Sequence, residues 1–269
     1  MRLLKRAKLF FLKDLTIFFS YKLSIFNQLA VMALLAYILF SFSKISGIND
    51  LSFLEETGID FFTFLFVGLV FTDTSIRILV SLPAMIRSYQ TIGILEELFH
   101  TSKNKELEMV FLNNLYSLFL CIFRALFFYL LFMMFSEDAI KINILISALV
   151  FFLHMISMYG IGLICASYSM IFKNNNLIQS FFIIGTTFFS SAFVPLNVFE
   201  QFIQNLSILF PSTFSLEIFR NMLSFNSLIG NESTILSLVI LSVSYLLMGA
   251  FTFKISVKLS KKYGNMNFF

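Results

Sequence analysis

The run 142–172 is longer than the ~20 apolar residues that a bilayer-crossing helix needs, and it is one of six apolar runs, over about 24–42, 59–79, 108–135, 142–172, 177–194 and 235–253. Their recurrence along the whole length, with short connections between them, leaves few folds open to the chain. Hydrophobic residues make up 58% and charged residues 13% of the sequence, against ~45–50% and ~25% in soluble domains. A water-soluble catalytic domain has no room here. The reading is one all-α integral membrane domain over 1–269, with six transmembrane helices.

The net charge of +4 does not point to nucleic acid, because the Lys and Arg residues stand at the ends of apolar runs. There they report topology through the positive-inside bias. Arg2, Lys5, Arg6, Lys8, Lys13, Lys22, Arg77, Arg87, Lys103, Lys105, Lys173 and the C-terminal Lys254, Lys258, Lys261 and Lys262 fall on one side. Lys44, Lys141 and Arg220 fall on the other. Both termini are therefore expected in the cytoplasm of a cell with a prokaryotic plasma (inner) membrane. Cys121 and Cys165 lie within apolar runs without metal-ligand spacing and read as buried free thiols.

Residues 1–21 carry too much charge to cross. On a helical wheel Arg2, Lys5, Arg6, Lys13, Thr16 and Ser20 share one face, and Leu4, Ala7, Phe11, Leu15 and Phe18 the other. That pattern describes a helix lying in the membrane interface. A signal peptide is the competing reading, but Lys13, Asp14 and Lys22 break its apolar core and no cleavage pattern follows. Pro83 is expected to end the second span, so that 84–107 forms a long cytoplasmic loop. Gly160, Gly162 and the small residues Cys165, Ala166 and Ser167 allow close helix approach in the fourth span. The fifth run stops at Pro195. From 195 to 220 the apolar pieces between Pro195 and Pro211 are too short to cross, and a re-entrant helical hairpin entering from the outer face is expected.

The cytoplasmic loop holds the sequence QTIGILEELFHTS, from Gln90 to Ser102. This run resembles the inner-loop signature of the permease subunits of type-2 ATP-binding-cassette (ABC) exporters, with Gly93, Ile94, Leu95, Glu96, Leu98, Thr101 and Ser102 in the corresponding places. Ile94 stands where Thr is usual, Phe99 takes a Leu place and Lys103 replaces a frequent Pro. Two further stretches resemble the family in order. IFKNNNL, 171–177, is similar to its Phe-Lys-Arg-Gly turn, with Asn174 and Asn175 as departures. The stretch 190–220 carries Phe193, Pro195, Pro211, Glu217 and Arg220 in the pattern of its outer segment. The resemblance covers nearly the whole chain.

It implies an ATP-driven exporter of an amphiphilic substrate such as a drug or lipid, built from two permease copies, as a homodimer or heterodimer, and two separate ATPase subunits. ATP and Mg would bind the partner subunit, since no Gly-rich loop ending in Lys-Ser or Lys-Thr occurs here. The chain itself would then be no enzyme and hold no cofactor or metal. Gly93, Leu95, Glu96, Glu97, Leu98 and Phe99 would form the coupling helix, with Leu95, Leu98 and Phe99 as apolar knobs in an ATPase cleft. Phe193, Pro195, Glu217 and Arg220 would lie at an outer gate.

Each of these residues also has a plainer reading. The coupling segment equally describes an interfacial helix resting on lipid headgroups. Asp73 and Arg77, four residues apart, read as a transport contact or as a self-neutralising pair. Arg124, near mid-span without an acidic neighbour at helical spacing, must face the protein interior, toward a water-filled path or a carboxylate from another span. His154 reads as a satisfied buried histidine. The acidic cluster of Glu55, Glu56 and Asp60 lacks the His or second cluster that a metal site or hydrolase would need. A polysaccharide-chain exporter of the same superfamily, or a non-transporting membrane assembly or interaction protein, are the alternative functions.

Overall fold

The computed structural model describes residues 2–44, 58–101, 105–136, 143–172, 176–225 and 232–264. Expectations resting on Glu55, Glu56, Ser102, Lys103, Lys141, Lys173, Asn174 and Asn175 lie outside them. Among the described residues all regular structure is helical. The helices are α1 (Arg2–Ser20), α2 (Lys22–Ser43), α3 (Phe61–Ile92), α4 (Leu95–Thr101), α5 (Glu106–Phe135), α6 (Ile144–Phe172), α7 (Asn176–Ile184), α8 (Gln201–Ser207), α9 (Pro211–Phe225) and α10 (Glu232–Tyr263). Five of them, α2, α3, α5, α6 and α10, are long and apolar enough to cross a membrane. The chain is an integral membrane protein, all-helical among the described residues.

α3 and α6 form the centre of the bundle. α10 lies along α6, α5 along α3, and α9 fills the space among α3, α6 and α10. The α6–α10 seam is close because it is built on glycine. A Cβ placed on Gly249 would come within 2.2 Å of the Gly160 carbonyl oxygen, and one on Gly160 within 2.5 Å of the Tyr245 backbone. Small residues at a crossing let backbones approach where lipid supplies no hydrophobic drive between helices. Gly162 serves the other flank of α6, where an added Cβ would lie 2.9 Å from the Leu82 side chain of α3. α2 is apolar on every face and mostly exposed, and it touches the bundle through the fully buried Met32 and Ala36 beside Phe62, Phe66, Phe128 and Phe132.

Three boundaries differ from the sequence expectation. Pro83 does not end the second span: α3 runs unbroken through it to Ile92. Proline removes one helical hydrogen bond, but Leu79, Leu82 and Ile86, all fully buried around it, hold the helix in register by packing. In membrane helices neighbouring elements tolerate such a residue. Consequently most of the expected loop is helix. The fifth apolar run is helical only from Asn176 to Phe189, the last turn being a π-turn over Gly185–Phe189. That length, about 20 Å at ~1.5 Å per residue, falls short of a ~30 Å hydrocarbon core. α10 continues beyond its apolar part, through the C-terminal lysines, to Tyr263.

α1 packs its expected apolar face on α5. Phe11 meets Tyr116 and Phe119 at ring-centroid distances of 6.1 and 5.3 Å, and Phe18 meets Tyr116 at 5.8 Å.

Candidate functional site

The residues singled out from sequence gather in three places. The first is the turn between α3 and α5. Gly93 ends α3 with φ of 80°, in the left-handed region. Its N–H donates to the Gln90 carbonyl at 3.2 Å, and the Ile94 N–H donates to the Tyr89 carbonyl at 3.0 Å. This pair of bonds is the glycine-terminated helix stop of the Schellman type. α4 starts at once, the Leu98 N–H donating to Ile94 at 3.0 Å. Leu95 and Phe99, one helical turn apart, point inward and are 0% and 1% exposed. Phe99 packs edge-on against Phe253 of α10 at 6.3 Å. Two of the three residues expected as apolar knobs, Leu95 and Phe99, are therefore the root of α4 in its own bundle. Leu98 is half-buried, and the outward face is formed by Ile94, Glu96, Glu97 and His100.

The ends of the long helices around α4 are cross-linked. The buried Gln90 side chain donates to the Met170 carbonyl at the end of α6 at 3.2 Å, and the Tyr89 hydroxyl donates to Asn113 of α5 at 2.8 Å. Ser256 of α10 donates to the Ser167 carbonyl of α6 at 2.9 Å, and Lys261 pairs with Glu106 at 2.7 Å. The sequence expectation assigned no hydrogen-bonding role to Gln90, Asn113 or Ser256. Their signal is a polar side chain inside an apolar run, which must find a partner when buried.

The second place is mid-bundle. Arg124 of α5 is buried and donates two hydrogen bonds to Asp73 of α3, Nε to Oδ2 at 2.9 Å and Nη2 to Oδ1 at 2.7 Å. This bidentate fork is the strong geometry for an arginine and a carboxylate. Arg77 stands one turn further along α3, with its Nε 3.5 Å from the same carboxylate. Two guanidiniums thus share one carboxylate, leaving one positive charge unbalanced in the trio. The carboxylate that Arg124 needs comes from another span, and the Asp73–Arg77 pair is one half of a larger set. Nearby, His154 lies between Ser75 of α3 at 3.0 Å and Ser215 of α9 at 3.2 Å. Both serines also reach helical carbonyls, of Phe71 and Pro211. A ring nitrogen that carries a proton donates to its serine, and one that does not accepts from it.

The third place is the broken segment after α7. The Thr186 and Thr187 hydroxyls donate to the Phe182 and Ile183 carbonyls of α7 at 2.8 Å each, and Ser190 donates to the Thr186 carbonyl, so hydroxyls of this stretch bond the carbonyls of the turn before them. Beyond it the backbone is irregular, and Ser191 takes a φ of 63°. Arg220 of α9 closes this break. Its guanidinium donates to the Ser191 and Ala192 carbonyls at 2.6 and 2.9 Å and to the Phe64 carbonyl of α3 at 3.0 Å, and it lies 3.6 Å over the Phe64 ring. The segment crosses α3 at Gly68, where an added Cβ would meet the Ala192 carbonyl oxygen at 1.8 Å. Phe193 packs between α3 and α9 beside Phe64 and Leu216. Pro195 precedes a single 3₁₀ turn, Leu196–Val198, and Glu217 is exposed on α9. Phe193 and Arg220 are brought together here, whereas Pro195 and Glu217 are not part of the arginine's bonding.

Among the described residues no group of His, Cys, Asp and Glu could hold a metal ion. No protein-family model matches the chain, and no curated protein or solved structure matches it.

Proposed function

We propose that this chain is the permease subunit of an ATP-driven ABC exporter of the type-2 kind, moving an amphiphilic substrate out of the cytoplasm with energy from a separate ATPase subunit. The observation that carries the reading is the mounting of α4. A helix of 7 residues projects from the end of the bundle, rooted by Leu95 and Phe99 and facing outward with Glu96 and Glu97. Its flanking helices are tied to α6 and α10 by the Gln90 and Lys261 bonds. A push on α4 is therefore delivered to four long helices together. A free interfacial helix needs no such mounting.

In this reading six segments traverse the membrane, counting the short α7 with its broken extension, and both termini face the cytoplasm of a prokaryotic cell. The cationic ends of α1 and α10 support that orientation. α8 and α9 form the re-entrant hairpin. Three contacts support a tip at mid-depth: Phe210 packs on Gly185, the Tyr245 hydroxyl donates to the Leu209 carbonyl at 2.7 Å, and Ser215 meets His154. Arg220 then holds the returning limb near the outer start of α3. Two permease copies and two ATPases would complete the transporter, which works by alternating access or by a transient outward push. ATP and Mg stay on the ATPase.

The test is ATP hydrolysis by the chain co-purified with its ATPase from host membranes and reconstituted in lipid. In the Glu96→Lys/Glu97→Lys variant, transport-stimulated hydrolysis falls at least about tenfold, the equivalent of ~1.4 kcal/mol of lost interface, with the permease still folded. Unchanged stimulation, or no co-purifying ATPase at all, overturns the proposal.

A further inference from the structure

Between α1 and the bundle lies an open groove of about 780 Å³, within the ~300–1,000 Å³ of small-molecule sites. Its walls come from four helices: Ala7, Lys8 and Phe11 of α1, residues of α5 from Phe111 to Ile122, Phe152 to Tyr159 of α6, and Leu246 of α10. Three features define what fits it.

The lining is almost wholly apolar, and Lys8 on the α1 wall contributes its methylene stem to it. From Phe111 to Ile122 along α5 the groove extends about 16 Å at ~1.5 Å per residue, roughly half of a ~30 Å hydrocarbon core. It thus has the length of a single leaflet. The ammonium at the end of the Lys8 stem is exposed and available. Lys13 is held by Asp14 at 3.3 Å, whereas among the described residues no carboxylate pairs with Lys8, and Lys5 and Arg6 precede it on the same helix with no acidic residue before Asp14.

We infer that this groove binds one acyl chain of an anionic phospholipid from the leaflet on which α1 lies, with the headgroup phosphate at Lys8. α1 separates the groove from the surrounding lipid on one flank through the Phe11–Phe119 contact at 5.3 Å, so its occupant differs from lipid that merely surrounds the bundle. The site depends on the membrane reading of the chain and not on the proposed ATPase partner.

The sequence contains no tryptophan, which makes a single introduced indole an unambiguous reporter. Phe119→Trp places it in the groove, and Phe251→Trp, on the exposed face of α10, serves as the control. The full chain is reconstituted in phosphatidylcholine vesicles carrying a minor share of dibrominated phosphatidylglycerol or, separately, dibrominated phosphatidylcholine. The groove indole is quenched with about a fivefold preference for the anionic lipid, the size expected of one lysine at an anionic surface, and the control shows no such preference. Lys8→Gln, at an exposed position that leaves the fold intact, removes the preference. Equal quenching by the two lipids at the groove indole overturns the inference. So does a preference that persists in Lys8→Gln, or one that is as large at the control indole.

Discussion

Asp73 answers to two guanidiniums, and the asymmetry of that arrangement sets what each substitution does. Losing Arg124 leaves Asp73 with Arg77 at 3.5 Å, a poorer but opposite charge. Losing Asp73 leaves two cations facing each other, Arg124 buried and Arg77 half-buried. Breaking a buried pair by removing one partner costs ~3–5 kcal/mol. Asp73→Asn is therefore expected to cost about 3 kcal/mol and Arg124→Leu less, with the double variant recovering part of the Asp73→Asn loss. Thermal unfolding in detergent checks the order, and equal destabilisation by the two single variants would contradict it. Arg220 follows a different logic: its described partners are carbonyls, a hydroxyl and an aromatic face. It is a cation placed where irregular backbone would otherwise leave carbonyls unsatisfied at membrane depth.

At the scale of elements, two glycines show why the same residue type is needed for unlike reasons. Around Gly93 an added Cβ meets nothing within 4 Å, but φ is 80°. The cost of Gly93→Ala is backbone strain of about 1 kcal/mol, and it falls on the angle between α3 and α4. At Gly249 the backbone conformation is ordinary for a helix, and an added Cβ would lie 2.2 Å from the Gly160 carbonyl oxygen. Gly249→Ala must part α6 from α10 and is expected to cost at least ~1–3 kcal/mol. The comparison is read from unfolding temperatures together with hydrogen exchange: Gly93→Ala raises exchange locally around α4, and Gly249→Ala raises it along both helices. Identical exchange patterns would refute the distinction.

For the molecule as a whole, the proposed six-segment arrangement predicts which ends share a membrane side. α4 hangs beside the end of α10 that carries Lys261, and the turn that leads into α8 belongs with the broken segment after α7. Cys121 and Cys165 are each 1% exposed, so the native protein provides a silent background for labelling. Single cysteines introduced as Glu97→Cys and Glu200→Cys are expected to react with a membrane-impermeant maleimide from opposite faces, the first only in inside-out vesicles. Labelling of both from the same face would overturn the proposed orientation.

Composition and the spacing of apolar runs were enough to show a membrane bundle, because burial in lipid demands only length and the absence of charge, both of which are local. The amphipathic split of α1 was legible for the same reason, and so was the use of Gly160 at a helix crossing. Pro83 was misleading from sequence: its cost is local, while the packing of Leu79, Leu82 and Ile86 that outweighs it comes from α3's neighbours. Leu95 and Phe99 read as apolar knobs, but a periodic pattern does not say whether an apolar face meets its own bundle or a partner, and Phe253, distant in sequence, decides it. The partners of Arg124 and Arg220 are likewise long-range, on α3 and in the break after α7. What the chain must bury is written in the sequence. Which groups satisfy its buried charges and broken backbone depends on where the other helices lie, and that is settled only when they pack.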